Sequence, residues 1–556
     1  MMPIWTLAIL LVGVAPEPID TVVVCPREFV AALDPLLAHR YAQGHRFAYV
    51  ANTGSAAEIR TAVRRVAATS LEQGGKLRYV LLVGDAEPGS GTNIELRRRC
   101  VPTYHVDAKV NVKFGSEPTI PSDNWFADLD DDSIPDLAIG RLPADTPAEL
   151  AQMVAKILAY EQAADHGLWR QRINLVAGVG GFSPLADNVI EMAARKFITE
   201  GIPPTYTTSM TYASWRSPYF PDPRLFHQTV AERHNEGCLF WVYLGHGHYT
   251  SLDRITLPGG RYHILGIDDC DQLKCDNGSP IAVMLACYTA AFDQQKDCLA
   301  EAMVKSAGGP VAVYGGSRVT MPYAMAVMGN EMLRSYFRDE PPTLGDVILL
   351  AKQRMMHEPD IGSETDRAEE TNRLLLDNLA AVLSPTSKVL KAERREHLHL
   401  FTLLGDPMTK FAYPGDVSLA PIAEAKAGQV IEIQGKTDIA GPAIVELVCR
   451  RDKLRFVAPK RDRFDPSHEG LLSFQGVYEE ANNRCWTFRQ LQLSAGEFRT
   501  SLEIPEGCEG PCHVRVFVAA ADRHALGHTQ VLVRKETAAE GLEVELPTVQ
   551  QATATK

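Results

Sequence analysis

The 556-residue sequence has no CxxC pair, no basic surplus, no apolar run of membrane-spanning length and no internal repeat. Each absence removes a class of protein. Without CxxC there is no zinc ribbon and no thioredoxin-type redox motif. With 56 Lys and Arg against 69 Asp and Glu, for a net charge of −13, no basic stripe is available to neutralise phosphates, so a nucleic-acid surface is excluded. No stretch reaches the ~20 continuous apolar residues that cross a bilayer. Hydrophobic residues at 45% and charged residues at 22% are ordinary for a globular chain, which excludes disorder and collagen-like structure. The length predicts several domains, each able to bury its own core.

What is present starts with Met1 to Ala15. Ile4-Trp5-Thr6-Leu7-Ala8-Ile9-Leu10-Leu11-Val12 runs into Gly13-Val14-Ala15, small residues at the positions a signal peptidase inspects. Residues 1–15 therefore read as a secretory signal, although no Lys or Arg precedes the run and Pro16 follows it; a first buried strand is the alternative. The eleven cysteines are an odd count, so at least one thiol stays free. Cys270/Cys275 and Cys508/Cys512 are close enough in sequence to bridge in an oxidising compartment.

From residue 20 short β-branched runs alternate with amphipathic helices: Thr21 to Val24, Glu28 to Tyr41, Phe47 to Val50, Ala56 to Ala68, Tyr79 to Val83. This alternation predicts doubly wound α/β structure with mostly parallel sheets and active groups at the carboxyl ends of strands. A helix over Pro147 to Ala163 closes a first α/β subdomain (20–165). A second (166–415) begins at Ile173-Asn174-Leu175-Val176-Ala177, with strands expected at Leu239 to Leu244, Ile281 to Leu285 and Val311 to Tyr314. Over 417–535 the pattern becomes short alternating strands without helical periodicity, which predicts an immunoglobulin-like β-sandwich. Residues 536–556 read as a tail.

Two strand ends carry the chemistry. Leu239-Phe240-Trp241-Val242-Tyr243-Leu244 runs directly into Gly245-His246-Gly247-His248, and Ile281-Ala282-Val283-Met284-Leu285-Ala286 ends on Cys287. Glycines around His246 allow a sharp turn and a close approach of backbone to ligand. A thiolate is the nucleophile, and an imidazole beside it takes its proton and returns it to the leaving amine. Backbone N–H groups of Gly247 and Cys287 would hold the oxyanion, worth ~3 kcal/mol of barrier in serine peptidases. A lone strand-end His or Cys is more often packed than reactive; the conjunction carries the reading.

At these residues the sequence resembles the gingipains, bacterial cysteine endopeptidases. Ordered landmarks extend the similarity over roughly residues 20–415: Tyr79-Val80-Leu81-Leu82-Val83-Gly84-Asp85, Ile139-Gly140-Arg141, Gly180-Gly181, Cys298-Leu299-Ala300-Glu301-Ala302 and Leu404-Gly405-Asp406-Pro407. The resemblance implies a caspase-like fold of two subdomains followed by an immunoglobulin-like domain. It implies peptide-bond hydrolysis through a thioester by a His246/Cys287 dyad, with protein or peptide substrates and no organic cofactor. It also implies a protein secreted from, or held in the envelope of, a bacterium. Two positions depart from the pattern. Val179 stands where arginine-specific gingipains place a Glu that orients the histidine. Met192 falls at the acid of their specificity pocket, with Asp187 and Glu191 nearby.

Asp128, Asp130, Asp132 and Asp136 occupy positions 1, 3, 5 and 9 of a short loop, the spacing by which oxygens wrap calcium, with Ser133 at the usual glycine. A structural Ca2+ is expected there; a solvated turn is the alternative. Gly178-Val179-Gly180-Gly181 lacks the Lys-Ser/Thr of a phosphate loop. His248 is a second candidate base or a rim residue, Arg318 and Trp215 are candidate cleft residues, and Glu396-His397-Leu398-His399 resembles a metal pair only superficially. Besides an endopeptidase, the dyad fits a thiol acyltransferase, and Val179 fits a catalytically silent scaffold that binds a partner.

Overall fold

A computed structural model describes residues 17–535 apart from 90, 91, 94, 164, 165, 181–200, 359–366 and 384–386. The expected signal (1–15), the tail (536–556) and Asp187, Glu191 and Met192 lie outside the described residues.

Apolar runs buried on both faces, such as Thr21–Val24, Tyr79–Val83 and Ile281–Leu285, become central strands of the main sheet, as continuous rather than alternating hydrophobicity requires. The first half supplies β1 (Thr21–Val24), β2 (Phe47–Val50) and β3 (Tyr79–Val83), then a small antiparallel pair, β4 (Tyr104–Asp107) and β5 (Thr119–Ser122), then β6 (Ala138–Leu142). The second half supplies β7 (Arg172–Ala177), β8 (Thr207–Tyr212) and β9 (Phe240–Leu244), a hairpin of β10 (Arg254–Leu257) and β11 (Gly260–His263), then β12 (Ile281–Leu285), β13 (Ala312–Gly316) and β14 (Phe401–Leu404). Helices begin where side chains satisfy the first free amides. Ser55 and Glu58 form a capping box on Ala56–Glu72, and Thr146 caps Pro147–Gln162.

The two halves share one ten-stranded sheet of order β2-β1-β3-β6-β14-β13-β12-β9-β7-β8 rather than a sheet each. The joint is β14, which the sequence pattern did not suggest as a strand. It pairs antiparallel with β13 and meets β6 in parallel at Leu404 and Arg141. Buried ion pairs clamp the joint. The Arg40 guanidinium donates to Asp406 Oδ2 at 2.7 and 2.9 Å, and Arg141 donates to both oxygens of Asp123 and to the carbonyls of Gly84 and Val101. Breaking one partner of such a pair costs about 3–5 kcal/mol.

The C-terminal unit comprises β15 (Gly415–Leu419), β16 (Glu424–Lys426), β17 (Val430–Thr437), β18 (Gly441–Cys449), β19 (Cys485–Leu493), β20 (Gly496–Glu503), β21 (Gly510–Ala519) and β22 (His524–Arg534). Its order is β19-β18-β21-β22-β15-β17-β20, with β16 on β22. One strand, β15, pairs with β22 through Gly415 and Asp416 and with β17 through Val417 to Leu419. The eight strands thus form a barrel-like sheet around Ile433, Val445, Leu447, Val514 and Val516. Helical structure, not expected there, is present: a Ser467-capped helix spans His468–Asn482. Its buried Leu471, Phe474, Tyr478 and Ala481 recur at helical spacing. They pack the unit onto the exposed edge of β8, where Asn482 brackets Met210 with bonds to its N–H (2.8 Å) and carbonyl (3.0 Å) and Tyr478 OH meets Thr211 Oγ1 at 2.9 Å. An edge that would otherwise invite strand addition is covered.

Candidate active site

Within the second half the order β13-β12-β9-β7-β8 reverses between β7 and β9, and ligands of open α/β sheets bind outside the carboxyl ends at such a reversal. Gly178 follows β7, Gly245-His246-Gly247 follows β9 and Cys287 lies just past β12. β9 and β12 are parallel neighbours with Leu244 opposite Leu285. The ladder ends there, and His246 and Cys287 each follow two residues later on these neighbouring chains. Both side chains are partly exposed.

The glycines have steric reasons. A Cβ on Gly247 would lie 2.4 Å from the Cys287 carbonyl oxygen and 2.8 Å from the Thr289 methyl, so the backbone of the histidine loop rests directly on that of the cysteine loop. A Cβ on Gly245 would lie 2.6 Å from the Tyr243 hydroxyl and 2.9 Å from the Cα of Gly178. The Tyr243 hydroxyl donates to the His246 carbonyl at 2.7 Å, tying the loop to its own strand. Gly178 is thus a packing residue of the cleft floor.

Around the thiol, the Thr320 backbone N–H donates to Cys287 Sγ at 3.3 Å and Thr320 Oγ1 lies 3.4 Å from it. Tyr288 has φ +59°, a left-handed conformation costly for a bulky residue and characteristic of functional turns. Its amide donates to the Arg318 carbonyl (3.2 Å), and its hydroxyl, with that of Tyr249, donates to Glu117 at 3.0 and 2.7 Å. All eleven cysteines are free thiols, including Cys508 and Cys512, whose sulfurs stand 3.9 Å apart. The other partly exposed thiols differ in setting from Cys287: burial, then the Asp34 charge, pushes Cys25 up to about 12, and burial, then Glu446, pushes Cys485 up to about 11.

An acid meets the backbone of Val179. Asp253, at the root of the β10–β11 hairpin, accepts the Val179 N–H on Oδ2 at 3.2 Å, and its own N–H reaches the Tyr243 hydroxyl at 3.4 Å. Sequence reasoning missed Asp253, Thr320 and Glu117. Thr320 was recoverable, because it follows β13, the strand next to β12; Asp253 and Glu117 come from loops without a motif.

Asp128, Asp130 and Asp136 converge, with one carboxylate oxygen of each within 4.8 Å of the others, whereas Asp132 stands outside this group and accepts the Ile134 N–H. Burial, then the charges of Asp130, Asp128 and Asp132, raises the Asp136 pKa. Ser133 takes φ +74°, the conformation for which glycine is usual, and Arg60 pairs with Asp128 at 3.2 Å. His397 and His399 are buried structural groups: Met321 N–H donates to His397 Nε2 at 2.8 Å, and His399 Nδ1 meets Ser122 Oγ at 3.1 Å. Arg318 is buried against Asp293 (2.6 Å) rather than offered to the cleft, Trp215 packs on Phe464 of the C-terminal unit, and His248 is exposed on the rim.

Comparison with known proteins agrees with the resemblance read from the sequence. The model of peptidase family C25 matches residues 14–412. Lys-gingipain of Porphyromonas gingivalis is 23% identical over 297 residues, 52% of this chain but 15% of that protein, so the match spans a small part of the relative. The crystal structure of the Arg-specific cysteine proteinase gingipain R shares 17% identity at a TM-score of 0.50, covering 93% of this chain and 98% of that one. A second solved protease gives 15% identity and a TM-score of 0.54 over 93% and 98%. At such identities the likeness to the solved structures is one of fold.

Proposed function

The chain belongs to peptidase family C25, and on that footing we propose that it is a secreted cysteine endopeptidase hydrolysing peptide bonds through a thioester, with Cys287 as nucleophile and His246 as general base. The observation that supports the proposal is the parallel β9/β12 pairing, from whose carboxyl ends His246 and Cys287 follow at the same remove. His246 takes the Cys287 proton, and the thiolate, with the Thr320 N–H directed at its sulfur, adds to the scissile carbonyl. Gly247 and Cys287 amides receive the oxyanion. The C–N bond breaks as the imidazolium protonates the leaving amine, and water activated by the same imidazole releases the acid and restores the thiol. In this reading Asp253, held to the Val179 N–H and beside the Tyr243 hydroxyl that ties down the His246 loop, supplies the negative charge for the imidazolium.

In this reading Asp128, Asp130 and Asp136 hold a structural Ca2+. The three convergent oxygens and the raised Asp136 pKa support it, since an ion would relieve their mutual repulsion. The C-terminal unit is read as an immunoglobulin-like domain, in keeping with its size and its core between strand layers. The deciding experiment is a peptide library incubated with wild type and with Cys287→Ala. Cleavage by the wild type alone supports the assignment; equal cleavage, or acyl transfer without hydrolysis, sinks it.

A further inference from the structure

Where the β10–β11 hairpin ends, three side chains from three elements meet. His227 comes from the helix Phe226–Asn235, His263 ends β11, and Asp269 lies in the 3-10 turn Ile267–Gln272. One ligand atom of each lies within 4.8 Å of the others. The imidazoles stack with centroids 4.4 Å apart and planes at 25°, and His263 Nε2 is 3.0 Å from Asp269 Oδ2. Asp269 is 5% exposed and is held by the Gly266 N–H at 2.8 Å and the Gln272 side-chain amide at 3.3 Å, the kind of outer shell that fixes a metal ligand. The His263 side chain is 43% exposed, which leaves one side of the group open to water.

We infer that His227, His263 and Asp269 bind one zinc-class divalent transition ion, with the fourth position open to solvent. Two imidazoles and one carboxylate suit zinc and its neighbours, whereas calcium and magnesium prefer all-oxygen sets. Tetrahedral zinc with bonds near 2.0 Å needs donors about 3.3 Å apart, so the group closes on the ion by turning imidazoles rather than by moving backbone. The consequence reaches the cleft, because Ile264 N–H donates to the Asp253 carbonyl at 3.3 Å and Arg254 pairs with His263. The ion therefore pins the hairpin whose root presents Asp253, a consequence that rests on the function proposed above although the site itself does not.

The test measures metal rather than turnover. Full-length protein carrying Cys287→Ala, so that the dyad offers no thiolate, is dialysed against zinc chloride and analysed for bound metal, alone and with His263→Ala, His227→Ala or Asp269→Asn added. The inference expects one equivalent in the parent and a loss of affinity of more than about 100-fold in each added variant. His263→Ala is the decisive one, since its side chain is 43% exposed, and circular dichroism checks the fold of each variant. Cobalt(II) in the same protein should give a spectrum without thiolate charge transfer. No bound equivalent in the parent, an equivalent retained in His263→Ala, or a thiolate band pointing to cysteine ligands would overturn the site.

Discussion

The Thr320 N–H points at Cys287 Sγ from 3.3 Å, and the next residue, Met321, donates its own N–H to His397 Nε2 at 2.8 Å. The thiol's environment is thus fixed by a buried histidine more than a hundred residues along the chain that does no chemistry. His397 Nδ1 faces the Glu393 carbonyl at 2.8 Å, so the neutral tautomer carries its proton there and leaves Nε2 as acceptor.

Acid should therefore destabilise this loop. Burial holds His397 at about 4, below its ordinary value of 6.5. A depressed base contributes stability that is fully present above pH 6.5 and is lost as the pH falls towards 4, where the unfolded chain takes a proton the folded one refuses. In His397→Gln the slope of unfolding free energy between those limits should fall by about 1.4 kcal/mol per pH unit, measured by denaturant titration at several pH values. An unchanged slope would place the proton elsewhere.

Thiol reactivity should be selective. Iodoacetamide or an acyloxymethyl ketone should label Cys287 ahead of Cys25 and Cys485, whose thiols burial pushes up to about 12 and about 11. Cys287→Ala should abolish the fast labelling and lower kcat/KM by about 10,000-fold or more. Fast labelling that survives in this variant, read by mass spectrometry, would remove the dyad.

Gly247→Ala separates the loop from the nucleophile. Its new Cβ would stand 2.4 Å from the Cys287 carbonyl oxygen, so the two loops must part. Activity should fall by about 100-fold, with a stability loss of about 1–3 kcal/mol in chemical denaturation.

Asp253→Asn keeps an acceptor for the Val179 N–H and removes the charge. The expected result is a pH–rate profile with kcat lower by about 10-fold or more throughout and KM little changed. A wild-type profile would leave Asp253 a purely structural residue.

Calcium should raise the melting temperature of the wild type, and chelation should lower it. In Asp130→Asn, a change at an exposed side chain, both effects should shrink towards zero in differential scanning calorimetry.

Most strands of the main sheet were legible as short apolar runs, although Ala138–Leu142 and Thr207–Tyr212 were not read as strands. Thr21–Val24, Phe47–Val50, Tyr79–Val83 and Ile281–Leu285 are strands at the expected limits. Phe401–Leu404 was not, since four apolar residues between a helix and a glycine carry no period that tells strand from helix end. The helix His468–Asn482 did carry its period in Leu471, Phe474 and Tyr478, but the alternating strands on both sides obscured it. At the site, His246 and Cys287 were readable from their positions at strand ends. Thr320, Asp253 and Glu117 lie on loops whose placement depends on the sheet order. Several landmarks of the resemblance, Arg141 and Asp406 among them, turned out to be buried clamps.

The position of β14 has a consequence for synthesis. It is the last main-sheet strand to leave the ribosome and yet it lies between β6 and β13, inside the sheet. A nascent chain already holding His246 and Cys287 still has two unjoined half-sheets, each with an open edge, until Phe401–Leu404 emerges and pairs with both. Translation itself thus delays completion of the molecule, and a chain truncated before residue 404 would be left with two unpaired strand edges inside its main sheet.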